Sequence, residues 1–238
     1  MPVSPGVSPF RTQFRSSAMR PSGRGGGRAL AYPDGVPLTG ASGSYIRCPD
    51  SAALSFSNDI EVVMLVKPTD WSAVANQTLC GKYVATGNQR SWRMYSSTTG
   101  SIVTSASVDG TAVTSVSVVP SVALTDNTWT WLRIRLDLTN GSNSVATLET
   151  AADVGFNAEP SSWTANGTST GTVVASVFDS SAPLELGAFS AGTSERLTGR
   201  VRRFILRSGF AGTVVADFNS ELSGQSGYSD AYGNTWVI

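Results

Sequence analysis

An antiparallel double-sheet β-sandwich is the fold that this sequence predicts. Hydrophobic residues make up 40% of the chain and charged residues only 14%, with 24 Gly, a composition typical of strands and turns. Apolar and polar residues alternate in many short stretches, and no stretch has the periodicity of a helix longer than a turn or two. With 238 residues, the chain can form one large all-β domain or a domain with an extension.

The clearest predicted strand lies between Thr128 and Leu138. Apolar side chains occupy every second position from Leu132 to Leu138, and charged side chains occupy the positions between them. This two-residue period is typical of a strand with one buried face. The dipeptide Asn140-Gly141 follows and favours a tight hairpin turn. Because Trp129 shares the polar face of this strand, we expect that face to be partly covered.

Further strands are predicted on both sides of this hairpin. The stretch 60–67 is apolar in both registers, which favours a central strand covered on both faces, and Pro68 ends it. Asp109-Gly110 predicts a second hairpin turn. We expect 161–171 to be a loop that carries Trp163. The other predicted strands are 44–48, 77–83, 91–95, 102–108, 112–119, 145–150, 172–178, 183–187, 199–207 and 213–218, with a closing segment at 229–238.

Residues 1–37 are predicted to form an extended Arg-, Gly- and Pro-rich arm, and residues 38–238 to form the sandwich. The first 33 residues hold five arginines and no acidic residue, so they carry +5 and the rest of this neutral chain carries −5. Such a basic arm favours docking on a protein neighbour. Nucleic acid is disfavoured because the arm has no Lys and no binding motif, and disorder stays an alternative. The docking residues would be Arg11, Arg15, Arg20, Arg24 and Arg28.

The sequence predicts neither membrane insertion nor export. No run approaches the ~20 apolar residues that a bilayer requires, and the N-terminus lacks the apolar region of a secretory signal. We therefore expect synthesis in a cytoplasm. Cys48 and Cys80 are accordingly expected to be buried, reduced thiols.

Seven motifs, in a fixed order, resemble the laminin G-like and concanavalin A-like lectin and glucanase jelly roll over residues 38–210. A W-L-R-x-x-L-D strand, with a closing V-A-D-F at 215–218 and G-N-T-W-V-I at 233–238, is similar to the versions in tailed-bacteriophage structural proteins. The resemblance implies a virion component. The seven motifs are G-x-Y-I-R (43–47), N-D-I-E-V-V-M-L-V-K-P (58–68), Q-T-L-C-G-K-Y (77–83), S-W-R-M-Y (91–95), W-L-R-I-R-L-D (131–137), P-L-E-L-G (183–187) and G-R-V-R-R-F-I-L-R (199–207).

The sequence predicts no catalytic residues. The chain has no His, which excludes Ser-His-Asp and Cys-His catalysis and every His-containing metal site. The E-x-D-x-x-E strand of the glucanases that it resembles is absent. We interpret Asp59 and Glu61 as charges at a solvated strand end, and Glu149 and Asp153 as hairpin and loop charges. The protein is therefore predicted not to be an enzyme and to have no cofactor.

Calcium stays an open alternative. Relatives of this fold hold one Ca²⁺ at the rim of the sandwich, but the Asp of their early D-G step is replaced here by Thr39-Gly40. A site could still form from Asp50, Asp109 or Asp179 with backbone oxygens, although we assign no ligands.

Glycan binding would need an exposed aromatic ring with polar neighbours. The candidates are Trp71, Trp92, Trp129 and Trp163, and packing in the core or at an edge is the alternative for each. Trp163 is the best of them because Ser, Thr, Asn and Gly surround it, and Trp71 is the second choice.

These observations predict a non-enzymatic bacteriophage virion protein. A minor tail protein that docks by its arm and displays a lectin-like jelly roll is the leading interpretation, and a capsid decoration protein of the same fold is an alternative. A module that binds host cell-surface glycan is the other alternative. A glycan hydrolase is disfavoured by the missing carboxylate motif.

Overall fold

The computed structural model describes residues 32–155, 157–172, 174–222 and 227–238. These residues form two antiparallel sheets of seven and eight strands, and the chain alternates between them along its length. The predicted double-sheet jelly-roll sandwich is confirmed. The five arginines of the N-terminal arm lie outside the described residues.

The seven-stranded sheet has the order β1-β12-β3-β8-β9-β10, with β13 also paired to β12. Its strands are β1 (Val36–Thr39), β3 (Ile60–Pro68), β8 (Thr130–Asn140), β9 (Asn143–Ala152), β10 (Thr164–Thr172), β12 (Thr198–Ser208) and β13 (Thr213–Asn219).

The eight-stranded sheet has the order β14-β15-β2-β11-β4-β5-β6-β7. Its strands are β2 (Ile46–Cys48), β4 (Gln77–Val84), β5 (Gln89–Ser96), β6 (Ile102–Ala106), β7 (Thr114–Val118), β11 (Leu184–Leu186), β14 (Gly227–Ser229) and β15 (Thr235–Val237). Two short 3-10 segments, Ala52–Leu54 and Thr86–Asn88, complete the regular structure of the described residues. In that part of the chain, no helix is long and apolar enough to cross a membrane.

The predicted hairpin is confirmed, because β8 pairs with β9 in antiparallel register on either side of the turn at 141–142. The alternate apolar side chains of β8, from Leu132 to Leu138, are at most 2% exposed and pack in the core between the sheets. Burying each such side chain stabilises the fold by about 2 kcal/mol. The neighbouring strand β3 pairs with β12 on one side and with β8 on the other, and its burial on both faces is also confirmed.

Two segments differ from the expectation. The stretch 161–171 was expected to be a loop, but most of it forms β10, which pairs with β9 over its whole length. The stretch 172–178 was expected to be a strand, but its described residues beyond Thr172 form none. Glycine explains why β10 lies so close to β7: a Cβ on Gly167 or Gly171 would come within 2.7 Å of a valine methyl of β7.

The first strand begins slightly before the expected start of the domain. Strand β1 starts at Val36, two residues ahead of the predicted boundary at residue 38, and Val36 pairs with Val201 of β12. Its pattern of alternate buried and exposed residues is only four residues long. A pattern this short is too weak to predict a strand from the sequence.

Candidate functional site

The four candidate tryptophans lie in two layers of the sandwich. Trp71 and Trp92 belong to the main core, and Trp129 and Trp163 pack against a second, smaller cluster. Trp92 is 1% exposed and belongs to the core between the sheets. Trp71 is 3% exposed, and its indole N–H donates a hydrogen bond of 3.2 Å to the carbonyl of Thr125. Neither ring is therefore presented to solvent as a sugar platform in this structure.

Trp163 is half-buried on the outer face of the seven-stranded sheet. It packs against a small apolar cluster that includes Trp131 and Ile205. The guanidinium carbon of Arg133 lies 4.7 Å from the centroid of its ring. One face of the Trp163 ring is therefore covered by a cation, which confirms the expectation that the polar face of β8 is partly covered.

Trp129 lines a cleft of about 330 Å³ at one end of the sandwich. The cleft, which we name the Trp129 cleft, lies between the 119–129 loop, which joins β7 to β8, and the ends of β9 and β10. Besides Trp129, the described residues that line it are mostly threonines and aliphatic residues, and none of them is charged. The threonines are Thr125, Thr128, Thr130, Thr150 and Thr164, and the aliphatic residues include Val122, Ala123, Leu124 and Ala151. The hydroxyls of Thr128 and Thr130 donate to the carbonyls of Asp126 (3.2 Å) and Thr128 (3.3 Å).

Asn166 of β10 holds the 119–129 loop in place. This side chain is 3% exposed. Its Oδ1 accepts hydrogen bonds from the Val122 N–H (2.7 Å) and from the Ser121 hydroxyl (3.1 Å), and its Nδ2 donates to the Val122 carbonyl (3.0 Å). Sequence reasoning missed this residue, because an Asn between Ala165 and Gly167 gives no sign that it packs against a loop 44 residues away.

Trp71 provides a second anchor for the same loop. Its backbone N–H donates to Asp126 Oδ1 (2.8 Å), in addition to the bond from its indole to Thr125. The Asn127 N–H donates to the Pro68 carbonyl (2.8 Å), and Asn127 has a φ of 51°, a left-handed conformation that Asn tolerates. The loop is therefore held at both ends. Trp71 contributes to the Trp129 cleft by positioning this loop, and it is not one of the residues that line the cleft.

The candidate carboxylates form ion pairs on the outer face of the seven-stranded sheet. Glu61 was expected at a solvated strand end, but it is 2% exposed and bridges Arg135 (2.6 Å) and Arg207 (3.0 Å). A hydrogen bond from Arg133 lowers the pKa of Glu149. These contacts stabilise the face and engage both Glu61 and Glu149 in ion pairs.

Two further carboxylates tie loops to this sheet. Asp153 pairs with Arg202 of β12 at 3.0 Å, so it is more than the loop charge that we expected. Asp59 Oδ1 accepts a hydrogen bond from the backbone N–H of Leu138 (3.0 Å). Both side chains therefore have structural partners within the fold.

The candidate calcium ligands Asp50 and Asp179 meet around a lysine. Lys82 is 1% exposed and points toward the interior of the sandwich, and its Nζ lies 2.8 Å from Asp50 and 3.3 Å from Asp179. The ammonium thus occupies the position between these carboxylates. Asp109 instead accepts hydrogen bonds from the N–H and hydroxyl of Thr111, which lower its pKa. Among the described residues, no group of three or more acidic, His or Cys side chains could hold a metal ion.

Both cysteines are buried, unpaired thiols, as expected. Burial raises the pKa of the Cys48 thiol to about 12, and it also raises the pKa of Cys80. Both therefore stay protonated at neutral pH and are poor nucleophiles.

The outer face of the eight-stranded sheet carries an arginine that sequence reasoning did not single out. The Arg93 guanidinium carbon lies 4.7 Å from the ring centroids of both Tyr83 and Tyr95, and Arg93 Nη1 pairs with Glu195 at 3.0 Å. The cation covers the tyrosine faces that a sugar would stack on. The Trp129 ring is covered in the same way by Arg202, whose guanidinium carbon lies 4.3 Å from the ring centroid. The two places differ in charge, because Arg93 and Glu195 belong to this cluster, whereas the described residues that line the Trp129 cleft are uncharged.

Glu185 lies next to this cluster and is 1% exposed. Its Oε1 accepts the N–H of Ala191 (2.9 Å), and its Oε2 has no hydrogen-bond partner among the described residues. Burial raises the pKa of this carboxyl to about 7.

A larger cleft, of about 620 Å³, borders β14 and β15. Two of its lining residues, Leu222 and Gly227, flank in sequence residues 223–226, which lie outside the described residues. We therefore place no site there.

Comparison with known proteins gives structural likeness only. Neither a family profile nor a curated protein sequence matches the chain. The chain is similar to the Ruminococcus gnavus IT-sialidase CBM40 bound to α2,3-sialyllactose, with 12% identity over 74% of this chain and 89% of that chain and a TM-score of 0.44. It is also similar to the heptameric SAP-like pentraxin from Limulus polyphemus, with 12% identity over 72% and 74% and a TM-score of 0.39. At these scores the likeness carries no functional argument.

Proposed function

We propose that this domain is a non-enzymatic, lectin-like module that binds carbohydrate in the Trp129 cleft. The observation that carries the proposal is the lining of the cleft, which combines a tryptophan with five threonines and several aliphatic residues. Sugars present apolar C–H faces and hydroxyl edges, so a site of this kind offers a partner for each.

The rigidity of the cleft also supports the proposal. Asn166 and Trp71 fix the 119–129 loop before any ligand arrives, so binding would not have to order it. The position of the Trp129 ring is set by the Arg202 guanidinium, whose carbon lies 4.3 Å from the ring centroid.

The test is calorimetric titration of the full chain with four neutral trisaccharides: maltotriose, cellotriose, chitotriose and xylotriose. We expect at least one to bind, and we expect Trp129→Ala to weaken that binding at least tenfold. Because Trp129 also packs near Gly35, a second variant, Thr164→Arg, adds bulk at the exposed edge of the cleft. Thr168→Arg, on the same strand but outside the cleft, is the matched control.

Trp163 provides the competing location for the sugar. If Trp163→Ala abolishes binding while Trp129→Ala and Thr164→Arg do not, the glycan site lies at Trp163 and our placement is wrong. If none of the trisaccharides binds, the carbohydrate proposal itself is wrong. Release of reducing sugar from host wall by the purified protein would contradict the non-enzymatic part.

We further propose that the carrier of this module is a bacteriophage virion, with a minor tail protein favoured over a capsid decoration protein. This proposal is supported only by the ordered motifs, among them W-L-R-I-R-L-D at 131–137, and by the basic N-terminal segment. Deletion of residues 1–30 should prevent incorporation into particles, whereas Trp129→Ala should impair adsorption and leave incorporation unchanged. Absence of the protein from purified particles would contradict the virion role.

A further inference from the structure

A second cleft lies on the opposite side of the loop that borders the Trp129 cleft. This cleft, which we name the Trp71 cleft, has a volume of about 220 Å³ and is lined by Trp71, Ser72, Thr99, Pro120 and Asp126, among others. Ala123 and Leu124 line both clefts. The two clefts are therefore adjacent, and only the 119–124 part of the loop separates them.

The wall between the clefts is exposed, apolar and fixed. Val119 is 72% exposed and Val122 is 69% exposed. Exposed aliphatic side chains on a rigid wall are an apolar surface that a ligand could cover without reordering the protein. The anchors of this wall lie on either side of it: Asn166 beside the Trp129 cleft and Trp71 beside the Trp71 cleft.

The size of the clefts argues for a ligand that uses both. Sites for small ligands usually have volumes of roughly 300–1,000 Å³. The Trp129 cleft is at the lower end of that range and the Trp71 cleft lies below it. A chain of sugar units that crosses the wall would fill a site of ordinary size.

The charges around the clefts argue for a neutral ligand. None of the residues lining the Trp129 cleft is charged. In the Trp71 cleft the charged lining residue is Asp126, one oxygen of which accepts the Trp71 N–H. The nearest cation on the Trp129 ring, Arg202, is paired with Asp153 at 3.0 Å. A carboxylate on the sugar would therefore lose its hydration and gain no unpaired cationic partner from the described residues that line the clefts.

We propose that the two clefts form one continuous site for a neutral oligosaccharide, with sugar units on both sides of the 119–124 wall. This inference rests on the proposed carbohydrate-binding function. It adds two properties that the single cleft does not imply: affinity that increases with chain length, and rejection of acidic sugars.

The experiment compares each neutral trisaccharide that binds with its monosaccharide, and with trigalacturonic acid as an acidic trisaccharide. We expect the trisaccharide to bind at least tenfold more tightly than the monosaccharide, and at least tenfold more tightly than trigalacturonic acid. Because no ion pair forms with a neutral ligand, its affinity should change less than twofold between 50 and 500 mM sodium chloride.

A variant that fills only the Trp71 cleft separates this inference from the proposed function. Ser72 is exposed and lines that cleft but not the Trp129 cleft, so Ser72→Phe should reduce the affinity for the trisaccharide to that for the monosaccharide. Binding of the monosaccharide should not change. Ser142→Phe, at the exposed β8–β9 turn, is the matched control and should bind as the wild type does.

The outcomes are distinguishable. If no sugar binds, the proposed function fails and this inference fails with it. If sugars bind and Trp129→Ala abolishes that binding, but the monosaccharide binds as well as the trisaccharide and Ser72→Phe has no effect, the function stands and the continuous site is wrong. Tighter binding of trigalacturonic acid than of the neutral trisaccharides would also overturn the inference.

Discussion

Replacing Asn166 with alanine removes the side chain that joins β10 to the 119–129 loop. The change deletes three hydrogen bonds, two accepted by Oδ1 and one donated by Nδ2, at distances of 2.7 to 3.1 Å. One contact between these segments stays, because it is made by backbone atoms: the Ser121 N–H donates to the Asn166 carbonyl at 2.7 Å. The loop is therefore loosened and not released.

The expected loss of stability follows from the number of hydrogen bonds that are removed. A buried hydrogen bond contributes about 0.5–1.5 kcal/mol net, so three of them contribute about 2–4 kcal/mol. Ser121 and Val122 are exposed, so water can replace some of the lost hydrogen bonds. We therefore expect a loss of stability in the lower half of this range. The substitution should also weaken the binding of sugar, because a mobile loop would have to be ordered when the sugar binds. We expect a five- to fiftyfold loss of affinity.

Urea denaturation followed by tryptophan fluorescence measures the first effect, and titration with the best neutral trisaccharide measures the second. Asn143→Ala replaces an exposed Asn on β9 and is the control, with an expected change below about 0.5 kcal/mol. If Asn166→Ala matches this control in both assays, the loop is not held by Asn166 and the reasoning about a preformed cleft is refuted.

Two further predictions concern buried carboxylates. Glu61→Gln should lower the free energy of unfolding by about 1–3 kcal/mol in urea denaturation. The loss is limited because Arg135 is still paired with Glu149, and Arg207 with Glu159. A variant as stable as the wild type would contradict the description of Glu61 as a buried bridge. Burial raises the Glu185 pKa from 4.5 to about 7, so this group contributes stability below pH 4.5 that is lost as the pH rises through 7. We expect up to about 3 kcal/mol less stability at pH 8 than at pH 4.5 from this group, and Glu185→Gln should remove that part of the pH dependence. An unchanged slope in the variant would show that Glu185 is not the group responsible.

The sheets could be predicted where side chains alternate strongly. The β8–β9 hairpin combines a Leu/Arg alternation with the Asn140-Gly141 turn, and β3 is apolar throughout, so local sequence determines both. Strand β10 could not be predicted, because T-A-N-G-T-S-T-G-T contains no large apolar residue. Its strand state depends on pairing with β9, which is a tertiary effect.

The site was less predictable than the fold. The polar neighbours of Trp163 suggested an exposed ring, but they do not reveal the guanidinium that covers one of its faces. Trp71 was a glycan candidate as an aromatic residue that could be exposed, but its partners Thr125 and Asp126 lie more than 50 residues away in the chain. Lys82 faces the interior of the sandwich, and the register of β4 against β5 shifts on either side of it, which alternation along a single strand cannot show.

The most direct measurement of the central claim is a ¹H–¹⁵N correlation spectrum of the full chain, titrated with the neutral trisaccharide that binds most tightly. We predict that the largest shift changes fall on the Trp129 indole N–H and on the backbone of Val122, Ala123 and Thr164, which line the Trp129 cleft. The Trp163 indole should change little. Shift changes centred on Trp163 or on the Arg93 cluster, with none at the 119–129 loop, would contradict the account.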